Sequence, residues 1–146
     1  MLGWIEITIK MLVAMLLGGF IGWEREVEGK PAGLRTIILV CLSACVYALA
    51  VEWASVARGV PVDVARTMSG IAEGVGFLGA GLILRSGGTV RLLTTAATVW
   101  AAAGVGFAVG VGLYYIAILG SVLVFITLRW LEEFEERWLS SREGEK

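Results

Sequence analysis

Five apolar segments, separated by short charged or glycine-containing breaks, constrain this chain more than any other sequence feature. Each is about as long as a helix must be to cross a hydrocarbon core of roughly 30 Å. With 58% apolar and 17% charged residues among 146, the chain has more apolar surface than a soluble core of this size can bury. We therefore predict an all-α, polytopic membrane bundle of about five transmembrane helices. The predicted spans are residues 4–23, 36–53, 67–84, 93–109 and 113–130.

The apolar stretch 93–130 has to contain a turn. As a single helix rising about 1.5 Å per residue it would exceed 50 Å, which is far more than one membrane crossing. The run Gly110, Val111, Gly112 is where the backbone turns back at the lowest cost. We therefore predict that the fourth and fifth helices are antiparallel and joined at this run.

Lysine and arginine are distributed unevenly between the two sides that five spans would create. Nine lie on the side of the carboxyl terminus and three on the other. Because cytoplasmic loops are enriched in these residues, the count predicts an external amino terminus and a cytoplasmic carboxyl terminus. The nine are Arg25, Lys30, Arg35, Arg85, Arg91, Arg129, Arg137, Arg142 and Lys146, and the three are Lys10, Arg58 and Arg66.

The composition excludes several classes of function. A net charge of −1 offers no basic surface for nucleic acid, and the absence of histidine removes histidine catalysis and histidine metal ligation. Cys41 and Cys45 alone cannot complete a four-ligand zinc site, so we interpret them as packing residues. No nucleophile and base are paired in the sequence, so we expect neither an enzyme nor a cofactor.

Small residues recur at helical spacing within the predicted spans. Such G-x-x-x-G pairs let helix backbones approach closely, within one bundle or between two copies. We favour packing within the bundle, and a homo-oligomer remains the alternative. The pairs are Gly18 with Gly22, Gly70 with Gly74, and Gly106 with Gly110.

The loop at residues 24–36 concentrates charge between the first two spans. It reads E-R-E-V-E-G-K-P-A-G-L-R-T and carries three carboxylates, Glu24, Glu26 and Glu28. One interpretation is a solvated loop, and a second is that Glu24 pairs with Arg35 and fixes the turn. A Mg²⁺ ion could also use one or two of these carboxylates together with water.

Three motifs in order carry a family resemblance. Residues 18–26 read G-G-F-I-G-W-E-R-E and 29–36 read G-K-P-A-G-L-R-T, 74–81 read G-V-G-F-L-G-A-G, and 93–100 read L-T-T-A-A-T-V-W. In these the chain resembles the MgtC/SapB family of bacterial and archaeal membrane proteins. The matching positions are Glu24, Arg25, Gly33, Leu34, Arg35 and Thr36, then Gly76, Phe77, Leu78, Gly79, Ala80 and Gly81, then Thr94, Thr95, Ala96, Ala97 and Trp100.

The resemblance implies a multi-pass protein of the cell membrane of a bacterium or archaeon, linked to magnesium limitation. Some members of the family are virulence factors. The resemblance further implies action through contact with other membrane proteins, ATP synthase among them, rather than transport of Mg²⁺. A cation channel or carrier is the alternative, and whether Mg²⁺ is bound remains open.

Four charged residues within or beside the spans predict a polar cluster in the outer half of the bundle. Charges inside a membrane are costly, so they face the bundle interior and find partners. Lys10 and Glu73 each lie six residues from the outer end of a span, which places them at about the same depth. Arg66 lies seven residues before Glu73, and Glu52 closes the second span on the same side. We predict that Lys10 pairs with Glu73, either as a structural ion pair or as a cation-access or proton-sensing site.

The last residues form a separate region. Residues 1–131 are predicted to be the transmembrane domain and residues 132–146 a short, acidic, amphipathic cytoplasmic tail. Trp130, Phe134 and Trp138 recur at intervals of four among glutamates. This pattern is typical of an interfacial anchor, and a helix that docks on a partner is the alternative.

The topology predicts labelling from opposite sides. Single cysteines at Lys30 and Arg58, introduced after Cys41 and Cys45 are replaced, should react with a membrane-impermeant thiol reagent from the cytoplasmic and the external side respectively. The measurement is labelling in right-side-out and inside-out vesicles. Labelling of both positions from one side would contradict the five-span topology.

Overall fold

In the computed structural model of this chain, the described residues form five α-helices. The structure describes residues 3–84 and 92–143, with the side chains of residues 3–83 and 92–130. The helices are α1 (Trp4–Val27), α2 (Leu34–Arg58), α3 (Val64–Leu84), α4 (Leu93–Gly110) and α5 (Tyr114–Glu143). Each predicted span lies within one of these helices, apart from Leu113 in the turn before α5, so the helical bundle is confirmed. Some residues used in the topology and tail predictions lie outside the part of the chain whose side chains are described. They are Arg85, Arg91, Phe134, Arg137, Trp138, Arg142 and Lys146.

Three of the described helices, α1, α2 and α4, are long and apolar enough to cross a membrane. The apolar part of α5, Tyr114–Trp130, is shorter, and α3 carries the charged residues Arg66 and Glu73. Large apolar side chains cover the outside of the bundle, for example Leu16 and Ile118. Such a surface suits lipid rather than water. The chain is thus a multi-pass membrane protein, while crossing by α3 and α5 and the orientation stay predictions.

The fourth helix is the centre of the bundle. Eleven of the 18 residues of α4 are buried, and α4 contacts each of the other four helices. The helix α1 packs along α2, whereas α3 packs mainly on α4 and only lightly on α2. Within the described residues, α3 contacts neither α1 nor α5. This order of neighbours decides which charged residues can meet.

Glycines bring three helix backbones together around Cys41. A Cβ atom built on Gly18 would lie 2.8 Å from the Cβ of Cys41, and one built on Gly106 would lie 2.9 Å from its Cα. Gly22 and Gly110 make similar contacts with α2. Two of the three predicted G-x-x-x-G pairs therefore pack inside the bundle. Cys41 and Cys45 are buried free thiols in this contact, as their interpretation as packing residues predicted.

The third glycine pair does not pack against another helix of the described bundle. Gly70 and Gly74 have no atom within 4 Å of an added Cβ, and the same holds for Gly76 and Gly81 of the second motif. Only Gly79 in that motif is buried against a neighbour. Glycines occur on several sides of α3, and among them only Gly79, which faces α4, has a neighbour within 4 Å of an added Cβ.

The predicted turn between the last two helices is confirmed. Gly112 has φ +83, and the N–H of Leu113 donates to the carbonyl of Ala108 at 2.8 Å. This left-handed glycine followed by a bond back to the last helical turn is a Schellman C-cap. Gly29, with φ +61, ends α1 in the same way. Both ends need glycine because other residues rarely adopt this backbone conformation.

The contact at Cys41 predicts unequal effects of two alanine substitutions on α4. Gly106→Ala would place its methyl group against the Cys41 carbonyl oxygen, whereas a methyl group at Gly104 has no atom within 4 Å. Overpacking of this kind costs about 1–3 kcal/mol. Both substitutions gain similarly in helix propensity. We expect lower thermal stability in detergent for Gly106→Ala only, and equal stabilities would contradict the contact.

Candidate functional site

A buried charge pair lies at the end of α1. The residues Glu24 and Arg25 are 2% and 3% exposed, and Nη1 of Arg25 lies 3.8 Å from Oε2 of Glu24. Nη2 of Arg25 donates a hydrogen bond of 3.2 Å to Oγ1 of Thr95, at the start of α4. The first and third motifs, 70 residues apart in sequence, therefore meet at this bond.

The second motif reaches the same turn of α4. A Cβ built on Gly79 would lie 3.5 Å from the Cβ of Ala96, the residue after Thr95. An added Cβ at this distance would make ordinary van der Waals contact, so α3 lies directly against α4 at this level. All three motifs thus converge on two adjacent residues of α4. We call Glu24, Arg25, Gly79, Thr95 and Ala96 the motif junction.

The three loop carboxylates serve different contacts. Glu24 belongs to the motif junction, whereas Oε2 of Glu26 accepts the backbone N–H of Leu34 at 3.0 Å and caps α2. Glu28 accepts a 2.8 Å hydrogen bond from Nη1 of Arg129 on α5. Among the described residues, no three histidine, cysteine or acidic side chains come together as a metal site.

The proposed pair of Glu24 with Arg35 is not formed. Arg35 is exposed, and no ion pair joins it to Glu24 in the part of the chain that the structure describes. Gly33 instead has a local role, because a Cβ there would collide with the Glu26 carboxylate that caps α2. The turn is therefore fixed by a helix cap and not by the predicted ion pair.

The remaining motif residues lie on the surface. Phe77 is 79% exposed and Trp100 is 58% exposed. Large aromatic side chains on a membrane protein surface face lipid or another protein. The motifs therefore contain the junction and an exposed set, while Gly33 and Leu34 are half-buried. The exposed set consists of Arg35, Thr36, Gly76, Phe77, Leu78, Ala80, Gly81, Thr94, Ala97 and Trp100.

The predicted polar cluster is present in part. Lys10 is 3% exposed, and its Nζ lies 3.4 Å from Glu6 Oε1 and 3.6 Å from Glu52 Oε2. Two of the four predicted residues, Lys10 and Glu52, are therefore in contact. They lie at the opposite end of α1 from the motif junction. The predicted pair of Lys10 with Glu73 is wrong, because Glu73 is exposed and accepts a 2.9 Å hydrogen bond from Ser69 on its own helix. Arg66 is also exposed and is not part of the cluster.

Comparison with known proteins agrees with these motifs. The family model described as MgtC family matches residues 11–137 of this chain. The chain belongs to the MgtC family. Protein MgtC of Salmonella typhimurium is 40% identical over 141 residues, which cover 94% of this chain and 59% of that protein.

Two further relatives support the same membership. Protein SapB of Bacillus subtilis is 38% identical over 132 residues, covering 86% of this chain and 56% of that protein. Protein SrpB of Synechococcus elongatus is 37% identical over 148 residues, covering 93% and 81%. The chain spans little more than half the length of the Salmonella and Bacillus proteins. No solved structure gives a significant match.

In this MgtC-family bundle Lys10 has a second partner, Glu6, which the sequence prediction missed. It lies four residues before Lys10, a spacing that brings two side chains together on a helix. That signal was available in the sequence. The Thr95 contact of Arg25 had no comparable local signal, because only the packing of α1 against α4 brings the two residues together.

The observed pairing predicts which residue is energetically coupled to Lys10. We expect the stability effects of Lys10→Met and Glu52→Gln to be non-additive, by about 0.5–3 kcal/mol. Lys10→Met with Glu73→Gln should be additive within about 0.5 kcal/mol, because these residues share no contact. The measurement is a pair of double-mutant cycles on unfolding in detergent. Coupling to Glu73 and not to Glu52 would overturn the observed arrangement.

Proposed function

We propose that this MgtC-family protein supports magnesium homeostasis, or adaptation to low magnesium, by binding other membrane proteins such as ATP synthase. Family membership and relatives named MgtC support the link to magnesium. Virulence-related roles of family members fit the same proposal. No catalytic step is part of it.

The proposal that the protein acts by binding rests on the separation of the motif residues into a buried group and an exposed group. Inside the bundle, helix backbones are in contact at glycines, and the buried cations Lys10 and Arg25 are held in ion pairs. On the outside, exposed motif residues such as Phe77 and Trp100 are available for contact with another protein. A binding role needs such a surface and needs no path through the interior.

A cation channel or carrier is the rival function. Its path would have to pass close to charged residues within the bundle, and the described cluster at the Glu52 end has the ammonium of Lys10 at its centre. Both carboxylates beside it, Glu6 and Glu52, are already paired with this ammonium, so a passing cation would have to compete with Lys10 for them. This competition favours the binding role over transport.

Growth and ion flux together test the proposal. The chain should restore growth at low Mg²⁺ to a bacterium that lacks its own family member, and purified chain should not raise Mg²⁺ flux into liposomes. Phe77→Ala should reduce growth support while the fold is retained, since Phe77 is 79% exposed. Tyr115→Ala is the matched control, because Tyr115 is an equally exposed aromatic residue outside the motifs.

Two results would contradict the proposal. Mg²⁺ flux well above that of protein-free liposomes would favour the channel or carrier. Equal growth with Phe77→Ala and Tyr115→Ala would show that the exposed motif surface is not used.

A further inference from the structure

A large groove lies between α2 and α3. Its volume is about 920 Å³, and its lining includes Ser43 and Ala44 of α2 and Gly70 and Gly74 of α3. The groove is open to the outer surface, because other lining residues, such as Tyr47, are exposed. Small residues on both walls would let another helix backbone come close, as the packed glycine pairs do within this bundle.

An acidic side chain lies beside this groove. Glu73 is next to Gly74 and seven residues after Arg66, which lines the groove, so Glu73 and Arg66 project from the same side of α3. Glu73 lies near the middle of α3 and is exposed. With α3 crossing the membrane as predicted, an outward carboxylate at its middle costs about 2.5–3.5 kcal/mol on insertion scales, and such residues usually pair with a partner.

The described part of this chain does not supply a cation for Glu73. Lys10 is buried between Glu6 and Glu52, and α3 does not contact α1. The one described hydrogen bond to the Glu73 carboxylate comes from Ser69. In a second copy related by a two-fold axis along the membrane normal, the α3 residue at the depth of Glu73 is Glu73 again, and the described cation on that side of α3, Arg66, lies about 10 Å away along the helix.

We propose that this groove docks a transmembrane helix of a different protein, one with small residues on its facing side and a lysine or arginine at the depth of Glu73. The proposal rests on the proposed function and names the surface through which binding occurs. Close backbone approach at Gly70 and Gly74 gives packing, and the ion pair with Glu73 gives specificity and register.

Synthetic transmembrane helices test this proposal with the full chain in lipid nanodiscs. One peptide has an apolar core of about 20 residues with small residues on one side and a central lysine. A second has leucine in place of the lysine, and a third has the lysine moved by two helical turns. Energy transfer from a dye on the peptide to an acceptor on the chain reports binding.

The peptide with the central lysine should bind about three- to twentyfold more tightly than the other two, which is the range of interhelical polar contacts in membranes. Glu73→Gln should remove this preference while the fold is retained, because Glu73 is exposed. Gly74→Leu should weaken the binding of all three peptides by filling the groove. Gly104→Leu is the matched control, since Gly104 also has no atom within 4 Å of an added Cβ.

Three results would overturn the proposal. The first is equal binding of the three peptides, as expected for a groove filled by lipid. The second is a lysine preference that persists in Glu73→Gln. The third is a disulfide between copies of Gly70→Cys together with failure of the peptides to bind, which would assign the groove to a second copy. In each case, retained growth support without Mg²⁺ flux would leave the proposed function standing and require a different docking surface.

Discussion

The close contact of α1 and α4 with Cys41 is the constraint on which the rest of the bundle depends. Because lipid is as apolar as the side chains, helices in a membrane associate through packing and polar contacts rather than through burial from water. Gly18 and Gly106 have no side chains, so both helices meet α2 at the backbone. This contact fixes how far each helix is shifted along its neighbours. The contact of Lys10 with Glu52 at one end of α1 and the hydrogen bond of Arg25 to Thr95 at the other follow from that shift.

Those two contacts of buried cations specify the arrangement more than they stabilise it. Lys10 lies eight residues before Gly18 and Arg25 lies seven residues after it, so each is about 11–12 Å from the central contact. A buried charge gains little net free energy from its partner but loses several kcal/mol when left alone. Any other shift of α1 would separate Lys10 from Glu52 and Arg25 from Thr95. The two pairs therefore penalise misaligned packings of the same helices.

The sequence predicted the helices, the turn at Gly112 and the presence of Lys10 and Glu52 in one cluster. Periodicity and spacing are local, and residue depth follows from counting along a helix. Depth along the membrane normal does not say which helices are neighbours, however. Glu73 was predicted at the same depth as Lys10, but the two residues do not meet because α3 and α1 are not adjacent. The motif residues pointed to Arg25 and Thr95 separately. Only the order of helices around α4 shows that these residues touch.

The motif junction and the groove between α2 and α3 are linked through one helix, α3. Gly79 faces α4 at the junction, and Glu73 lies six residues earlier, about 240° around the helix at 100° per residue, which places it away from α4. Phe77 is also turned outward for this reason. The contact of Gly79 with Ala96 therefore fixes which side of α3 carries the exposed residues. A side chain longer than that of alanine at Gly79 would press on Ala96, move α3 away from α4 and displace Glu73 and the groove walls together. The buried half of the motifs thereby determines the geometry of the exposed half.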